Sequence, residues 1–336
     1  MRAVFRIGGR GALYYIRCQA AQNQRSPLRA RRDFVAMPVY WTPLRRVERM
    51  GRMGKLSNSW DLIRQSFQVL MADTELMWLP VLSAISCVLV TAAIALGGGS
   101  FFYPSIKSAM DAGSRWQPSP GLLFAASFVF YLANYFVIVF FNTALVGAAT
   151  IRLRGGDPTL RDGLQLAWAR KGVIFQWALL AATVGMILKM IEGRSSLIGK
   201  LVTGLIGLAW TLASFLVVPI LAFEELSPFD ALSRSGELFR KTWGEQVVGG
   251  FSFGLIFFLL TLPGLLLPFL GHLLGGQAGL IIGTGWFVVY ILLISVVNSA
   301  THGIFVAALY RYATTGDVAP GFYSHNFTAA WRPKGY

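Results

Sequence analysis

The sequence predicts an all-α membrane protein with six transmembrane helices. Of its 336 residues, 55% are hydrophobic and only 13% are charged, and the mean hydropathy of +0.56 is too high for a soluble domain of this length. Six stretches reach the roughly 20 apolar residues that a helix needs to cross a bilayer. A polar helix followed by two such stretches occurs three times. We therefore divide the chain into a basic tail (1–56), a six-span domain (57–312) and a short cytoplasmic tail (313–336).

The predicted spans follow one another with short connections. They cover 76–97, 121–149, 172–190, 200–223, 247–270 and 280–310. A helix rises about 1.5 Å per residue, so we expect the second and the last, which exceed the bilayer, to tilt or to continue into the water. Trp78, Trp177 and Trp286 lie near predicted boundaries, where indole rings are favoured. The same three positions also suit packing inside the protein.

Basic residues are concentrated in alternate connections, which predicts the orientation in the membrane. The connections 150–171 and 224–246 carry five and three Lys or Arg residues, whereas 98–120 carries two and 271–279 carries none. Because basic loops stay in the cytoplasm, both termini are predicted to be cytoplasmic, in a multi-pass protein of the cytoplasmic (inner) membrane. The basic connection between the third and fourth spans departs from this trend.

The net charge of +15 comes mostly from the N-terminal tail. Residues 1–56 hold 13 of the 30 basic residues and two acidic ones, for a net charge of +11. Translation could begin at Met53, so that residues 1–52 are not made, and we rank this interpretation first. A transit peptide is the second, since residues 1–32 hold eight arginines and no acid. The third is an arm that binds anionic lipid.

The sequence lacks the usual signs of catalysis, metal binding and nucleic-acid binding. Cys18 lies in the tail and Cys87 in the first span, so no structural disulfide is expected. His272, His302 and His325 have no second ligand at metal spacing. No motif for nucleic acid accompanies the basic tail. We expect no enzymatic activity, no cofactor and no nucleic-acid partner. The expected partners are membrane lipid and a protein partner or a second copy of the chain.

A short polar pattern precedes each pair of predicted spans. "SWDLIRQSF" at 59–67 and "SGELFRKTW" at 235–243 share their order of residue types, and "DGLQLAW" at 162–168 is a weaker copy. Each copy has an acid followed by two apolar side chains four residues apart, which lie on one side of a helix. Because each unit would cross the membrane twice, the three copies point the same way. The pattern predicts a parallel repeat of three units.

The spacing in the first copy predicts an amphipathic helix in the membrane interface. Its predicted apolar face comprises Trp60, Ile63, Phe67 and Met71. Polar residues between them would face away. One tryptophan in each copy is a candidate interfacial residue: Trp60, Trp168 and Trp243.

Two spans share a second motif, "NTALVG" at 142–147 and "NSATHG" at 298–303. Small residues four apart in each let helices approach closely, and an amide in hydrocarbon needs a partner, so we expect both asparagines to face the bundle. Interhelical hydrogen bonding is favoured over a polar lining for a substrate path. The fourth span departs from the motif with "LVVPILAFEE" and its Pro219. The candidate polar contacts in the membrane are Asn142, Thr143, Asn298, Ser299 and His302.

Two acids, Glu224 and Glu225, follow the fourth span. Together they could bind a cation or move protons, but capping the next turn in the headgroup region is favoured. His302 could titrate near neutral pH or simply be packed. An intramembrane enzyme would need His302 within reach of both acids.

Glycine and proline predict breaks on the outer side. "GGGS" at 97–100 and "GGQAG" at 275–279 are predicted as loops, and neither continues as a phosphate-binding loop. Pro263 and Pro268 are expected to break the fifth span near its outer end. A simple helix end is favoured there over a re-entrant element.

The chain resembles a known but uncharacterised family of prokaryotic integral membrane proteins over about 57–315. The stretches that carry the resemblance are "SWDLIRQSFQVLMADTELMWLPVLS", "FNTALVGAATIRLRGGDPTLRDGLQLAW" and "VVPILAFEELSPFDALSRSGELFRKTWGEQ". More distantly, six residues resemble the membrane domain fused to some glycerophosphodiesterases: Pro219, Glu224, Ala231, Leu232, Ser235 and Trp243. The resemblance implies an architecture without a chemistry.

Two hypotheses about function follow. The first is a non-enzymatic protein that organises lipid or a partner through its amphipathic helices, which the absence of a catalytic set favours. The second is a transporter or a lipid-translocating protein, which the repeat and the paired asparagines favour. The second hypothesis predicts a polar cavity between units near the middle of the membrane.

Overall fold

A computed structural model of the chain describes residues 55–114, 117–194, 197–243 and 252–322. The predicted basic tail lies almost wholly outside them. The described residues form helices and contain no strand. The α-helices of the described part are α1 (Lys55–Ala72), α2 (Trp78–Asp111), α3 (Pro120–Leu153), α4 (Leu160–Ala169), α5 (Lys171–Arg194), α6 (Leu197–Ala213), α7 (Val217–Phe223), α8 (Pro228–Trp243), α9 (Ser252–Thr261) and α10 (Leu266–Thr315). Short 3₁₀ turns precede α2 and α10.

Five helical segments in the described part are long and apolar enough to cross a membrane, as expected of a multi-pass membrane protein. They are Thr74–Asp111, Pro120–Leu153, Lys171–Glu192, Gly199–Phe223 and Phe257–Thr315. The middle three agree with the predicted spans within a few residues. The fifth contains the predicted span 280–310 and residues 257–270 of the predicted span 247–270, so the predicted count of six is not confirmed.

The predicted loop at 97–100 is wrong, because α2 continues through it to Asp111. Outside the helix itself, no atom lies within 4 Å of where a Cβ would stand at Gly97, Gly98 or Gly99. No packed neighbour therefore bends the chain at these glycines. A helix keeps the amides bonded within the segment, which an apolar surrounding requires. Pro104 also lies inside α2.

Two glycines interrupt α10, and the helical segments on either side lie against each other. Gly275 and Gly276 have non-helical backbone angles, with φ of +56° at Gly276, a conformation that costs little without a Cβ. A Cβ at Gly271 would overlap the carbonyl oxygen of Gly279. Farther from the turn, the Tyr290 hydroxyl donates to a carbonyl of α9 at 2.6 Å. The predicted loop at 275–279 is therefore a tight turn between closely packed helices.

The buried core lies at one end of the long helices. The buried residues of α3 fall at 139–153, and most of those of α10 fall at 300–312. Toward their N-terminal ends the same helices expose large apolar side chains, including Leu123, Phe124 and Ile281. Here α1 packs against α10, α4 against α3, and α8 against α7. This end is therefore where the short helices are attached.

A break separates α6 from α7, and α8 stabilises it. Leu216 lies in the break, and its backbone N–H donates to the Ser235 hydroxyl at 3.0 Å. Both residues are fully buried, where an unpaired amide would cost free energy. Pro219 falls in the first turn of α7, where a missing N–H is tolerated. The serine of the second polar copy therefore has a structural partner.

Candidate functional site

Four polar side chains join the C-terminal ends of α7 and α10 to the middle of α8. The Tyr310 hydroxyl donates to Glu224 Oε1 at 2.8 Å. Arg234 Nε lies 3.6 Å from Glu224 Oε2, and Arg234 Nη1 donates to Glu237 at 3.1 Å. The Glu224 and Arg234 side chains are only 25% and 35% exposed. This polar cluster holds together elements that are far apart in sequence.

The two consecutive acids face different partners. Glu225 is 87% exposed and lies 3.6 Å from Arg170 at the end of α4, whereas Glu224 belongs to the polar cluster. Among the described residues there is no group of three or more His, Cys, Asp or Glu side chains that could hold a metal ion. The arrangement therefore joins helix ends through separate ion pairs.

Two arginines satisfy backbone carbonyls at the ends of neighbouring helices. Arg311 donates to the carbonyl of Leu153, the last residue of α3, at 2.9 Å. Arg152 donates to the carbonyl of Ala72, the last residue of α1, at 3.3 Å. These carbonyls have no partner within their own helix. From the sequence, the basic residues of this region served only to predict the orientation of the protein in the membrane.

Asp73, between α1 and the turn before α2, is a polar residue that the sequence did not single out. It is 8% exposed, and its Oδ2 atom has no hydrogen-bond partner among the described residues. Burial raises the pKa of this carboxyl above its ordinary value, although the charge of Arg152 opposes the effect. The ionised form is therefore under-solvated at neutral pH.

The substitution Asp73→Asn is expected to stabilise the protein at neutral pH. A raised pKa means that the folded state binds the proton more tightly than the unfolded state, so ionisation costs stability as the pH rises through the folded pKa. We expect a gain of about 1 kcal/mol at pH 7 that shrinks as the pH falls through the raised pKa of Asp73 and the wild type itself becomes protonated. Thermal unfolding of the detergent-solubilised protein at several pH values would measure it.

The exposed carboxyl of Asp111 provides the control. Asp111→Asn should leave the unfolding temperature nearly unchanged at pH 7. A loss of stability in Asp73→Asn at pH 7, or a gain that grows as the pH falls, would contradict the assignment.

The candidate polar contacts in the membrane lie around the interface of α3 and α10. Thr143 is fully buried, and its hydroxyl donates to the Val139 carbonyl one turn earlier at 2.8 Å. Asn142, Asn298 and Ser299 are half-buried. Within the described part of the chain, neither asparagine side chain makes a hydrogen bond. Their predicted interhelical bonds stay a prediction.

The glycines of the repeated motif lie where helices touch. A Cβ at Gly147 would overlap the side chain of Leu166 on α4, and one at Gly303 would overlap Leu145 on α3. On α4, a Cβ at Gly163 would stand 2.6 Å from the Ala144 carbonyl oxygen. Each glycine therefore admits a neighbour that a larger residue would displace.

His302 is half-buried on α10. Its ring lies 5.9 Å from that of Phe215 in an edge-to-face arrangement, and 6.5 Å from that of Phe305. Such aromatic contacts are typical of a packed side chain.

Large apolar side chains on the short helices point away from the core. Trp60 is 50% exposed and Trp168 is 63% exposed, with the Lys171 ammonium 4.1 Å from the centre of the Trp168 ring. On α1, Phe67 and Met71 are exposed like Trp60, whereas Ile63 is buried. Three members of the predicted apolar face therefore point away from the core, and Ile63 at its edge packs into the core. The side chain of Trp243 lies outside the described residues.

A cleft of about 420 Å³ opens between the ends of α3 and α7 and the side of α4. It is lined by Gly147, Thr150, Ile151, Arg154, Asp162, Gln165, Leu166 and Phe223. The ring of Phe223 stacks on that of Tyr310 at 6.0 Å, so the cleft adjoins the polar cluster. The sequence analysis did not predict this cleft. The one lining residue that it had singled out is Asp162, in the motif "DGLQLAW".

Comparison with known proteins gives one result. No curated protein and no solved structure matches the chain. The sequence profile of DUF6159, described as a family of unknown function, matches residues 122–321. The match supports the predicted uncharacterised family, while the distant resemblance to a glycerophosphodiesterase membrane domain stays a prediction. Since the matched region covers more than half of the 336 residues, the chain belongs to this family of unknown function.

Proposed function

We propose that this protein is a non-enzymatic protein of the cytoplasmic membrane that binds and orders lipid, through α1, α4 and α8 at one face of the bilayer. One observation carries the proposal. Each of these helices packs onto the end of a different membrane helix and still exposes a large apolar side chain, Trp60, Trp168 or Phe229. At the end of a membrane span, such side chains lie where lipid headgroups meet the acyl chains.

The burial pattern supports a threefold repeat of these helices. Leu62 and Leu238 occupy equivalent positions and are both buried, as are Ile63 and Phe239. Ile63 and Phe239 are each followed by an exposed arginine. In this arrangement, α4 packs on the last span of the first unit, α8 on that of the second, and α1 on that of the third. The units would close into a ring with three membrane-facing helices.

The packing within Phe257–Thr315 supports six crossings. In the proposed topology, the segment crosses the membrane twice and turns at Gly275 and Gly276. The close approach of Gly271 and Gly279 is consistent with two antiparallel helices. Six crossings place both termini on one side. The basic residues of 150–171 and 224–246 favour the cytoplasm as that side.

The alternative is a transporter or a lipid-translocating protein. The half-buried Asn142 and Asn298 favour it, because polar groups inside a bundle can line a path. That function needs a polar cavity near the middle of the membrane. The cleft described above lies instead at the end of α3, which suits binding at the membrane surface.

The proposal is tested by counting the lipids that stay bound to the purified full-length protein. Native mass spectrometry in a mild detergent would compare the wild type with a variant of α1 that combines Trp60→Ala, Phe67→Ala and Met71→Ala. We expect this variant to retain fewer phospholipids. The matched control combines Ile85→Ala, Val88→Ala and Leu89→Ala, which are similarly exposed but lie within a span. Equal lipid retention in wild type and α1 variant would overturn the proposal.

A further inference from the structure

The cleft between α3, α4 and α7 combines an apolar floor with polar groups of both charges. Ile151, Leu166 and Phe223 supply apolar surface, while Arg154 and Asp162 add one positive and one negative charge. Its volume of about 420 Å³ falls within the roughly 300–1,000 Å³ range of small-molecule sites. The cleft is thus large enough for a headgroup and too polar for acyl chains alone.

The polar groups of the cleft have unused hydrogen-bonding capacity. Among the described residues, Arg154 and Gln165 make no side-chain hydrogen bond or ion pair. Asp162 uses one oxygen, Oδ2, to accept from the backbone N–H and the hydroxyl of Thr159 at 2.9 Å and 2.7 Å. These bonds hold the pKa of Asp162 below its ordinary value, so that its carboxylate stays ionised at neutral pH. Its Oδ1 atom can accept a further donor.

In the proposed topology, the cleft lies at the depth of the phospholipid headgroups. Helix α3 is long and apolar enough to cross a membrane; it ends at Leu153, and Arg154 is the next residue. On the same side, the exposed Trp168 ring with Lys171 beside it is typical of the membrane–water boundary. Phosphate groups lie at this depth. A guanidinium binds phosphate through paired hydrogen bonds, and a carboxylate binds an ammonium.

The two charges select against singly charged ligands. An anionic headgroup without an amine would leave Asp162 facing a negative charge, and a simple cation would face Arg154. A headgroup that carries a phosphate and an ammonium satisfies both. A primary ammonium also offers three hydrogen-bond donors to Asp162 Oδ1 and the Gln165 carbonyl oxygen, which a quaternary ammonium lacks.

We propose that this cleft binds the phosphoethanolamine headgroup of a membrane phospholipid, with the phosphate at Arg154, the primary ammonium at Asp162 and the glycerol region over the apolar floor. This inference rests on the proposed function, since it names the lipid and the site. In this arrangement, α4 both faces the membrane and recognises the lipid headgroup.

The test is a titration of the full-length protein with lipids that share their acyl chains, followed by native mass spectrometry. We expect phosphatidylethanolamine to bind about tenfold or more tightly than phosphatidylglycerol and phosphatidylcholine, since of the three only its headgroup offers both a phosphate and a primary ammonium with three donors. Arg154→Gln should weaken binding of every phospholipid at this site. Asp162→Asn should abolish the preference for phosphatidylethanolamine over phosphatidylcholine.

Two matched controls separate recognition from folding. Asp230 and Ser227 form a similar pair at the start of α8, away from the cleft, so Asp230→Asn removes a capping carboxylate without touching the site. Arg161→Gln removes an exposed positive charge close in sequence to Arg154. Both control variants should keep the wild-type preference. Equal affinity for the three lipids, or equal effects of Asp162→Asn and Asp230→Asn, would overturn the proposal.

Two further comparisons identify the source of the headgroup and separate this inference from the proposed function. Water-soluble glycerophosphoethanolamine should compete only weakly, and binding as tight as that of the lipid would instead indicate a site for a soluble compound. If the α1 variant loses lipid while the Arg154→Gln and Asp162→Asn variants bind normally, the proposed function stands and this site is wrong. If the wild type retains no lipid, the proposed function fails first.

Discussion

The substitution Trp177→Ala, which removes a buried side chain of α5, is expected to destabilise the protein by about 3 kcal/mol or more, as large-to-small changes in a core do. Trp177 is 1% exposed. Its ring is nearly parallel to that of Trp210 on α6, with centroids 5.7 Å apart and an angle of 4°. In a membrane the loss is mainly one of packing, because lipid is as apolar as the protein interior.

Two other tryptophans that share the predicted boundary position provide the comparison. Trp78 is 58% exposed and Trp286 is 63% exposed, so Trp78→Ala and Trp286→Ala remove side chains that contact their surroundings more than the protein. We expect each to cost less than about 1 kcal/mol, in the range typical of surface positions. Unfolding in mixed micelles with a rising fraction of sodium dodecyl sulfate would measure all three. Equal destabilisation would show that Trp177 is not a core residue.

The second large effect is expected at the contact of α4 with α3. In Gly163→Ala, the new methyl group would stand 2.6 Å from the Ala144 carbonyl oxygen and 3.3 Å from the Ala148 side chain. A backbone carbonyl within a packed helix cannot move aside, so α4 must shift away from α3. We expect a loss of about 2–3 kcal/mol, as overpacked cores show. Unfolding in the same mixed micelles would measure it.

A glycine in α5 gives a control of opposite sign. No atom lies within 4 Å of where a Cβ would stand at Gly172, and alanine is a better helix former than glycine. Gly172→Ala is therefore expected to stabilise the protein by up to about 1 kcal/mol. A destabilising Gly172→Ala, or a neutral Gly163→Ala, would contradict the assigned packing of α4.

The membrane-crossing segments could be predicted because each depends on a local property. The predicted spans 121–149, 172–190 and 200–223 differ from the observed segments by at most a few residues. Hydropathy over about 20 residues decides whether a helix can lie in lipid, and no distant contact is needed. The loop at 97–100 was predicted wrongly because glycine signals a turn in water, whereas an apolar surrounding keeps the backbone helical.

The candidate site could not be predicted, because it joins residues that are far apart in sequence. The Tyr310 hydroxyl bonds to Glu224, and the cleft brings Phe223 on α7 next to Asp162 on α4. Neither pair shares a motif or a helix face. Glu224 and Glu225 are adjacent in sequence, yet they pair with different arginines on different helices.

By itself, the sequence determined that the protein lies in a membrane and where its main apolar helices run. It could do so because composition and periodicity are properties of short segments, while the repeat of three polar helices that it predicts stays a prediction. Only the tertiary structure decided which tryptophan is a core residue, which glycines admit a neighbouring helix, and which charges meet around one cleft. Those outcomes depend on the positions of whole helices relative to one another, and a short segment of sequence does not specify which other segments it will contact.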